Sequence, residues 1–228
     1  MSVSDDPDRI QGLDALRAFA AITVVAFHTR LPGLSGGFLG VDVFFVISGY
    51  LTASIALSGK QSFVEFMCRR FLRLWPLMIL ATAAIAGTWV AVTGETPNGL
   101  VAGALFFLDA EIANTGPQGP MTHFWTLGVE MKFYLLVALM AAVLKPRLFL
   151  WTMLTAFVVV TLARIMNSDH WLAGFYGFAF HTSGLFLGAA AAVIPRIPAN
   201  RFTLYVGLVV LGMAMTCLLY TSPSPRDS

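Results

Sequence analysis

Seven apolar runs dominate the chain, near 13–30, 39–57, 72–92, 125–144, 148–166, 172–194 and 202–216, the last of them cut short. Runs of this length cross the hydrocarbon core of a bilayer, where a backbone segment closes its hydrogen bonds within its own helix. The expected fold is therefore all-α, a polytopic transmembrane helix bundle. Composition agrees, with 57% of the 228 residues hydrophobic and only 11% charged, where a soluble domain carries about 25% charge. A shorter run, 100–108, is too brief to span and is expected to be re-entrant or interfacial.

Charge bias orients the spans. With the N-terminus inside and the short run not crossing, the cytoplasmic segments hold Arg9, Lys60, Arg69, Arg70, Arg73, Lys145, Arg147, Arg196 and Arg201. The outer side keeps only Arg30 and Arg164, beside Glu95, Asp109, Glu111 and Asp169. Every loop then obeys the positive-inside rule. If 100–108 crossed, Lys145 and Arg147 would move outside, against that rule. A multi-pass protein of the inner (plasma) membrane follows, with residues 1–12 as a cytoplasmic segment. That segment is polar and acidic and lacks the basic region and cleavage site of a signal peptide. A net charge of +2 gives no reason to expect nucleic acid. Neither Cys68 nor Cys217 has a companion at metal or redox spacing.

The ending CLLYTSPSPRD, 217–227, resembles the translation of a transposon-end sequencing adapter. Residues 217–228 are expected to be a non-native tail, and the natural protein to be cut short after about Thr216.

Ionisable residues inside the apolar runs point to chemistry. In DALRAFAAITVVAFHTRL, Arg17 and His28 are eleven residues apart, three helical turns plus about 20°, so they share one stripe roughly 16 Å apart along the axis. Asp14 joins that stripe one turn earlier. A snorkelling arginine and an interfacial histidine are the plain alternative. Two ionisable groups on one stripe favour function, because each is costly in lipid unless paired or wet.

GGFLGVDVFFVISGYL, 36–51, places Asp42 in an apolar span, with Ser48 and Gly49 further along. Asp42 calls for a cation, Arg17 or a protonated His28. Gly36 and Gly40 make a GxxxG pair, which packing explains as well as function does. In FMCRRFLRLWP, Arg70 and Arg73 share a face if the segment is helical, and such arginines suit phosphate. Basic clusters beside a span more often mark topology or lipid contact. In HFWTLGVEMKFYLL, His123 and Glu130 are seven apart and fall on one helix face. Trp125, Phe133 and Tyr134 fit an aromatic belt, whereas Glu130 and Lys132 lie deeper than a belt explains.

Together these four segments, in order and spacing, resemble the acyltransferase family 3 membrane proteins, which O-acylate sugars of the bacterial envelope. Arg17 and His28 match its Arg-x10-His motif, GGFLGVDVFFVISGYL its second-helix signature, RRFLRLWP its Arg-x-x-Arg element and HFWTLGVEMKFYL its Trp-Ser-Leu-x-Val-Glu-x-Gln-Phe-Tyr block. The resemblance runs from about Gly12 to Val193, within a domain taken as 13–216. Thr126 replaces the usual Ser, and Lys132 stands where Gln is common. His181 and Ser183 occupy positions where many members have Arg and an acidic residue. The family core of about ten helices implies that the last few are missing.

The resemblance implies transfer of an acyl group, acetyl above all, from cytoplasmic acyl-CoA to a hydroxyl of an extracytoplasmic envelope sugar. It makes acyl-CoA the co-substrate, with no metal. Its partners would be the lipid bilayer, a carbohydrate acceptor and accessory envelope-glycan proteins. His28 would act as general base or nucleophile, and Arg17 would support the donor path. Asp42 or Glu130 would orient an imidazole or neutralise an arginine. Arg69, Arg70 and Arg73 would hold the CoA phosphates, and His123, Trp125 and Ser48 would contact substrate. No Gly-x-Ser-x-Gly, His-Glu-x-x-His or His-x4-Asp motif supports a serine, zinc or soluble-type acyl mechanism. The rival readings are a transporter using Arg17, His28, Asp42 and Glu130 as an ion or proton relay, and a non-catalytic assembly partner. The inverted repeats common in transporters are not seen.

Overall fold

The computed structural model describes residues 13–29, 37–117, 119–166 and 176–194. The segment 1–12, the apolar run 202–216 and the tail 217–228 lie outside the described residues. All regular structure among the described residues is helical. Two compact units divide the chain, with the boundary between Ile47 and Ser48, inside one helix.

The first unit contains α1 (Leu13–His28) and the opening half of α2 (Leu39–Leu57). Ala20, Thr23 and Phe27 are the buried residues of α1, a helical spacing that gives one packed face. That face meets α2 at Gly40, where a Cβ would come within 2.5 Å of the Ala20 carbonyl and 2.6 Å of Thr23 Oγ1. Gly40 is there because no side chain fits between the two backbones. Phe38 sets its ring edge-on to Phe27 at 5.6 Å. The glycine pair read from sequence thus has a packing use at Gly40; Gly36 lies outside the described residues.

The second unit begins with the closing half of α2 and continues into α3 (Phe63–Thr93). Ser62 caps α3, its hydroxyl accepting from the Glu65 amide at 3.2 Å, in the Ser-x-x-Glu pattern of a capping box. Gly94 ends the helix with φ +77° and donates to the Val90 carbonyl, a left-handed geometry that suits glycine. The 31 residues of α3 extend about 46 Å, longer than a bilayer core. The basic stretch before residue 72, left outside the apolar run 72–92, is therefore helix, continuous with the span. Arginines at 69, 70 and 73 lower hydropathy there without disfavouring helix.

A corner follows, made of α4 (Leu100–Ala104) and α5 (Leu108–Thr115). Five and eight residues extend about 7.5 and 12 Å, so neither crosses a membrane. Phe106 between them holds φ +62°. A 3-10 turn (Thr122–Phe124) leads into α6 (Trp125–Val143), then α7 (Pro146–Met166). The run expected to span over 172–194 is, in its described part, α8 (Phe178–His181) and α9 (Ser183–Ala191), interrupted at Thr182. His181, Thr182 and Ser183 bring polar side chains to that break, and hydroxyls there compete for backbone partners. Within this unit α6 packs on α3 and α5, and α9 on α7.

Among the described residues, four helices are long and apolar enough to cross a membrane: Leu39–Leu57, Phe63–Thr93, Thr122–Val143 (including the 3-10 turn) and Pro146–Met166. At 16 residues, α1 extends about 24 Å, short of the roughly 30 Å hydrocarbon core.

Candidate functional site

Three helices of the second unit converge on Tyr134. From α6, its hydroxyl donates to Glu130 Oε2 one turn back, at 3.1 Å. From α3, the Arg70 guanidinium lies over the Tyr134 ring at 5.1 Å and over Phe66 at 5.3 Å. From α2, the Ser48 side chain lies close to the Tyr134 hydroxyl. Glu130 and Tyr134 are buried, 4% and 5% exposed. A carboxylate and a guanidinium in an apolar interior need each other and their hydrogen bonds, because desolvating either alone costs several kcal/mol. The tyrosine serves both, through its hydroxyl and its π face.

The three arginines of the basic segment are not equivalent. Arg70 is half-buried between two rings. Arg73 is exposed one turn later. Arg69 is also exposed and bonds Glu65 within α3, its Nη2 at 2.8 Å, a surface pair of small energetic value. Sharing a helix has not made Arg70 and Arg73 share an environment.

At the entry of α6 the geometry departs from the even seven-residue spacing. His123 belongs to the 3-10 turn and is exposed, whereas Glu130 is buried in the α-helix. The tighter turn shifts the phase, so the two do not form one α-helical face. Trp125, the first residue of α6, is buried, with Tyr176 edge-on at 5.3 Å and His181 at 5.1 Å. His181 itself is 1% exposed.

In the first unit α1 does contain both Arg17 and His28. Their stripe lies about 100° round the helix from the packed face of Ala20, Thr23 and Phe27. Arg17 is half-buried with its guanidinium 5.1 Å from the Phe44 ring centre. His28 is the last residue of α1 and exposed, where the carbonyl end of the helix favours a cation. Asp42 falls in the first turn of α2, where the helix dipole favours a carboxylate.

Two residues escaped the sequence reading. Tyr134, read as belt, is four residues from Glu130, and that spacing alone puts both on one helix face. Asp109, counted only as a loop charge, is 1% exposed and ion-paired with Lys132 at 2.5 Å. Among the described residues no three His, Cys, Asp or Glu side chains gather as metal ligands.

Four helices of membrane-crossing length, three of them contributing to a buried polar cluster, define an integral membrane protein. The chain belongs to the acyltransferase domain family, which matches residues 10–225. It is 32% identical over 214 residues to O-acetyltransferase OatA of Staphylococcus aureus, covering 82% of this chain and 35% of that protein. It is 30% identical over 226 residues to the putative peptidoglycan O-acetyltransferase YrhL of Bacillus subtilis, covering 84% of this chain and 35% of that protein. The chain thus spans about a third of the length of these relatives. No solved structure matches it.

Proposed function

We propose that this protein is a membrane O-acetyltransferase that takes an acetyl group from cytoplasmic acetyl-CoA and places it on a hydroxyl of an extracytoplasmic envelope polysaccharide. It sits in the inner membrane with its N-terminus in the cytoplasm. The name of the Bacillus relative makes peptidoglycan the first acceptor to test. The observation that carries the reading is the Arg70–Tyr134–Glu130 cluster. It joins two family motifs at one buried point and offers a planar cation to an anionic donor.

In the reaction the acceptor oxygen forms the new C–O ester bond as the C–S bond of the thioester breaks. His28 takes the hydroxyl proton and returns it to the departing thiolate, or first carries the acetyl group on its imidazole. Arg70 engages phosphate of the donor with its forked N–H groups, while Arg73 and Arg69 supply charge at the membrane face. Arg17 supports the donor path, Asp42 neutralises a cation or orients the imidazole, and Glu130 neutralises an arginine. Ser48, Trp125 and His123 contact substrate.

The test uses the full-length protein in lipid nanodiscs, following CoA release and labelled acetyl on peptidoglycan fragments. His28→Ala should lower transfer by about 100-fold or more with unaltered membrane insertion. Near-parental transfer at matched expression would rule His28 out. Ion flux dependent on Arg17 and Glu130, without CoA release, would replace the enzyme by a relay.

A further inference from the structure

The helix that carries Glu130 and Tyr134 is held from its other side as well. Taking Gly128 as zero, Lys132 lies at about 40° round α6, Glu130 at about 200° and Tyr134 at about 240°. Gly128 and Lys132 thus face away from the Arg70 cluster, and the α4–α5 corner meets them. The Lys132 ammonium bonds Asp109 Oδ1 and lies 5.3 Å from the centre of the Phe107 ring. Gly128 makes the room, since a Cβ there would fall 2.6 Å from Asp109 Oδ1 and 2.8 Å from the Phe106 carbonyl. Phe106 bends the chain back through φ +62° to allow it, a conformation uncommon for a bulky residue and kept only where its surroundings hold it. Asp109 is 1% exposed and the Lys132 side chain 29%, so the pair is anchored at a buried carboxylate with the ammonium reaching it from a half-buried position.

Its level along α6 matters. Lys132 lies midway in sequence between Glu130 and Tyr134, so fixing it fixes the rotation of the helix at the level of the cluster. A 20° turn of α6 would move a side-chain atom at roughly 6 Å radius by about 2 Å. That displacement takes any polar contact out of hydrogen-bonding range. Arg70 is fixed independently on α3, against Phe66, and would not follow.

We propose that Asp109 and Lys132 are positioning residues whose ion pair, buried at its Asp109 end, locks the rotation of α6, keeping Glu130 and Tyr134 in register with Arg70 for the acyl donor. The inference rests on the donor-site reading above. It gives a use to Lys132, a charge that lies deeper in α6 than a helix end explains.

The experiment compares the parent with Lys132→Met, Asp109→Asn and the double variant Asp109→Asn/Lys132→Gln, full-length in nanodiscs at matched folded amounts. Lys132→Met strands a buried carboxylate, whereas the double variant removes both charges and keeps an amide pair. The expected result is a rise of about tenfold in the apparent KM for acetyl-CoA in Lys132→Met, with the acceptor KM unchanged. Amide hydrogen exchange over 108–115 should quicken in the same variant. The double variant should return the donor KM to within about twofold of the parent, a recovery that separates pairing from mere loss of fold. If Lys132→Met does not fold, Asp109→Asn takes its place, with the same expected rise. A parental donor KM in both single variants, or no recovery in the double variant, would overturn the proposal. Unaltered exchange over 108–115 would overturn the lock itself. A parent that binds no acetyl-CoA would instead defeat the donor-site reading, whatever the exchange data say.

Discussion

Tyr134→Phe isolates one hydroxyl and leaves everything else at the cluster in place. The ring stays under Arg70 at its 5.1 Å separation, so the cation–π contact survives. What goes is the 3.1 Å bond to Glu130 Oε2, along with the hydroxyl's approach to Ser48. Glu130 is 4% exposed, and no bulk water replaces the lost donor. A hydrogen bond to a charged group contributes about 1.5–3 kcal/mol net. Each 1.4 kcal/mol or so is a factor of ten in binding. The apparent KM for acetyl-CoA should therefore rise by roughly tenfold, to about a hundredfold if the full energy is felt at Arg70. Tyr134→Leu removes the ring too, adding about 0.5–2 kcal/mol, and should be worse than Phe. The assay is CoA release at saturating acceptor with varied donor, each variant in nanodiscs and normalised to folded protein. Parental donor kinetics in Tyr134→Phe would show that Glu130 does not depend on this hydroxyl. Equal damage from Phe and Leu would show that the ring is irrelevant to Arg70.

Arg70→Lys and Arg73→Lys should diverge, since Lys keeps the charge but lacks the planar fork that stacks and binds phosphate. Arg70→Lys should raise the donor KM about tenfold and Arg73→Lys by less than about twofold, with equal effects refuting the distinction between them. In a Cys68→Ser background, a reporter cysteine at Ser62 should resist an impermeant thiol reagent in intact cells and one at Gly94 should react. Labelling of Ser62 from outside would put the donor site in the wrong compartment. Gly40→Val should destabilise the packing of α1 on α2 by about 1–3 kcal/mol, read as a lower midpoint in thermal unfolding, and an unmoved midpoint would mean the helices are free to part there.

The helical nature of the chain was legible because lipid leaves a backbone few choices, and apolar length reports it directly. Hydropathy fails where helix and span part company. Arg69, Arg70 and Arg73 hid the first third of α3, although Ser62 and Glu65 announced its true start. The break at Thr182 was equally invisible, since α9 is as apolar as a span but only nine residues long. At the candidate site the motif residues Ser48, Arg70 and Glu130 were named as site residues, whereas Tyr134, which joins them, was read only as belt and as the last residue of its block. Aromatic residues in membrane helices are so often belt that the place of Tyr134 at the end of the block did not mark it out as a site residue. Its four-residue spacing from Glu130 did.

The same spacing rule applied to the opposite face gives Gly128 and Lys132, also four apart. Helix α6 therefore carries two paired positions, one pair on each side, and each pair has a partner from elsewhere in the second unit. Arg70 answers Glu130 and Tyr134, and Asp109 answers Gly128 and Lys132. A charged residue deep in an apolar helix is costly unless something meets it, so the two deep charges of HFWTLGVEMKFYLL specified two neighbours before any were known. Periodicity could say which face each needed. It could not say which loop or helix would supply the partner, because Asp109 is 23 residues from Lys132 and reaches it only through the bend at Phe106. Long-range pairing of this kind is fixed by the fold of the corner and not by any local pattern. A sequence-only reading of relatives should accordingly look for a carboxylate near the α4–α5 corner whenever the position of Lys132 holds lysine.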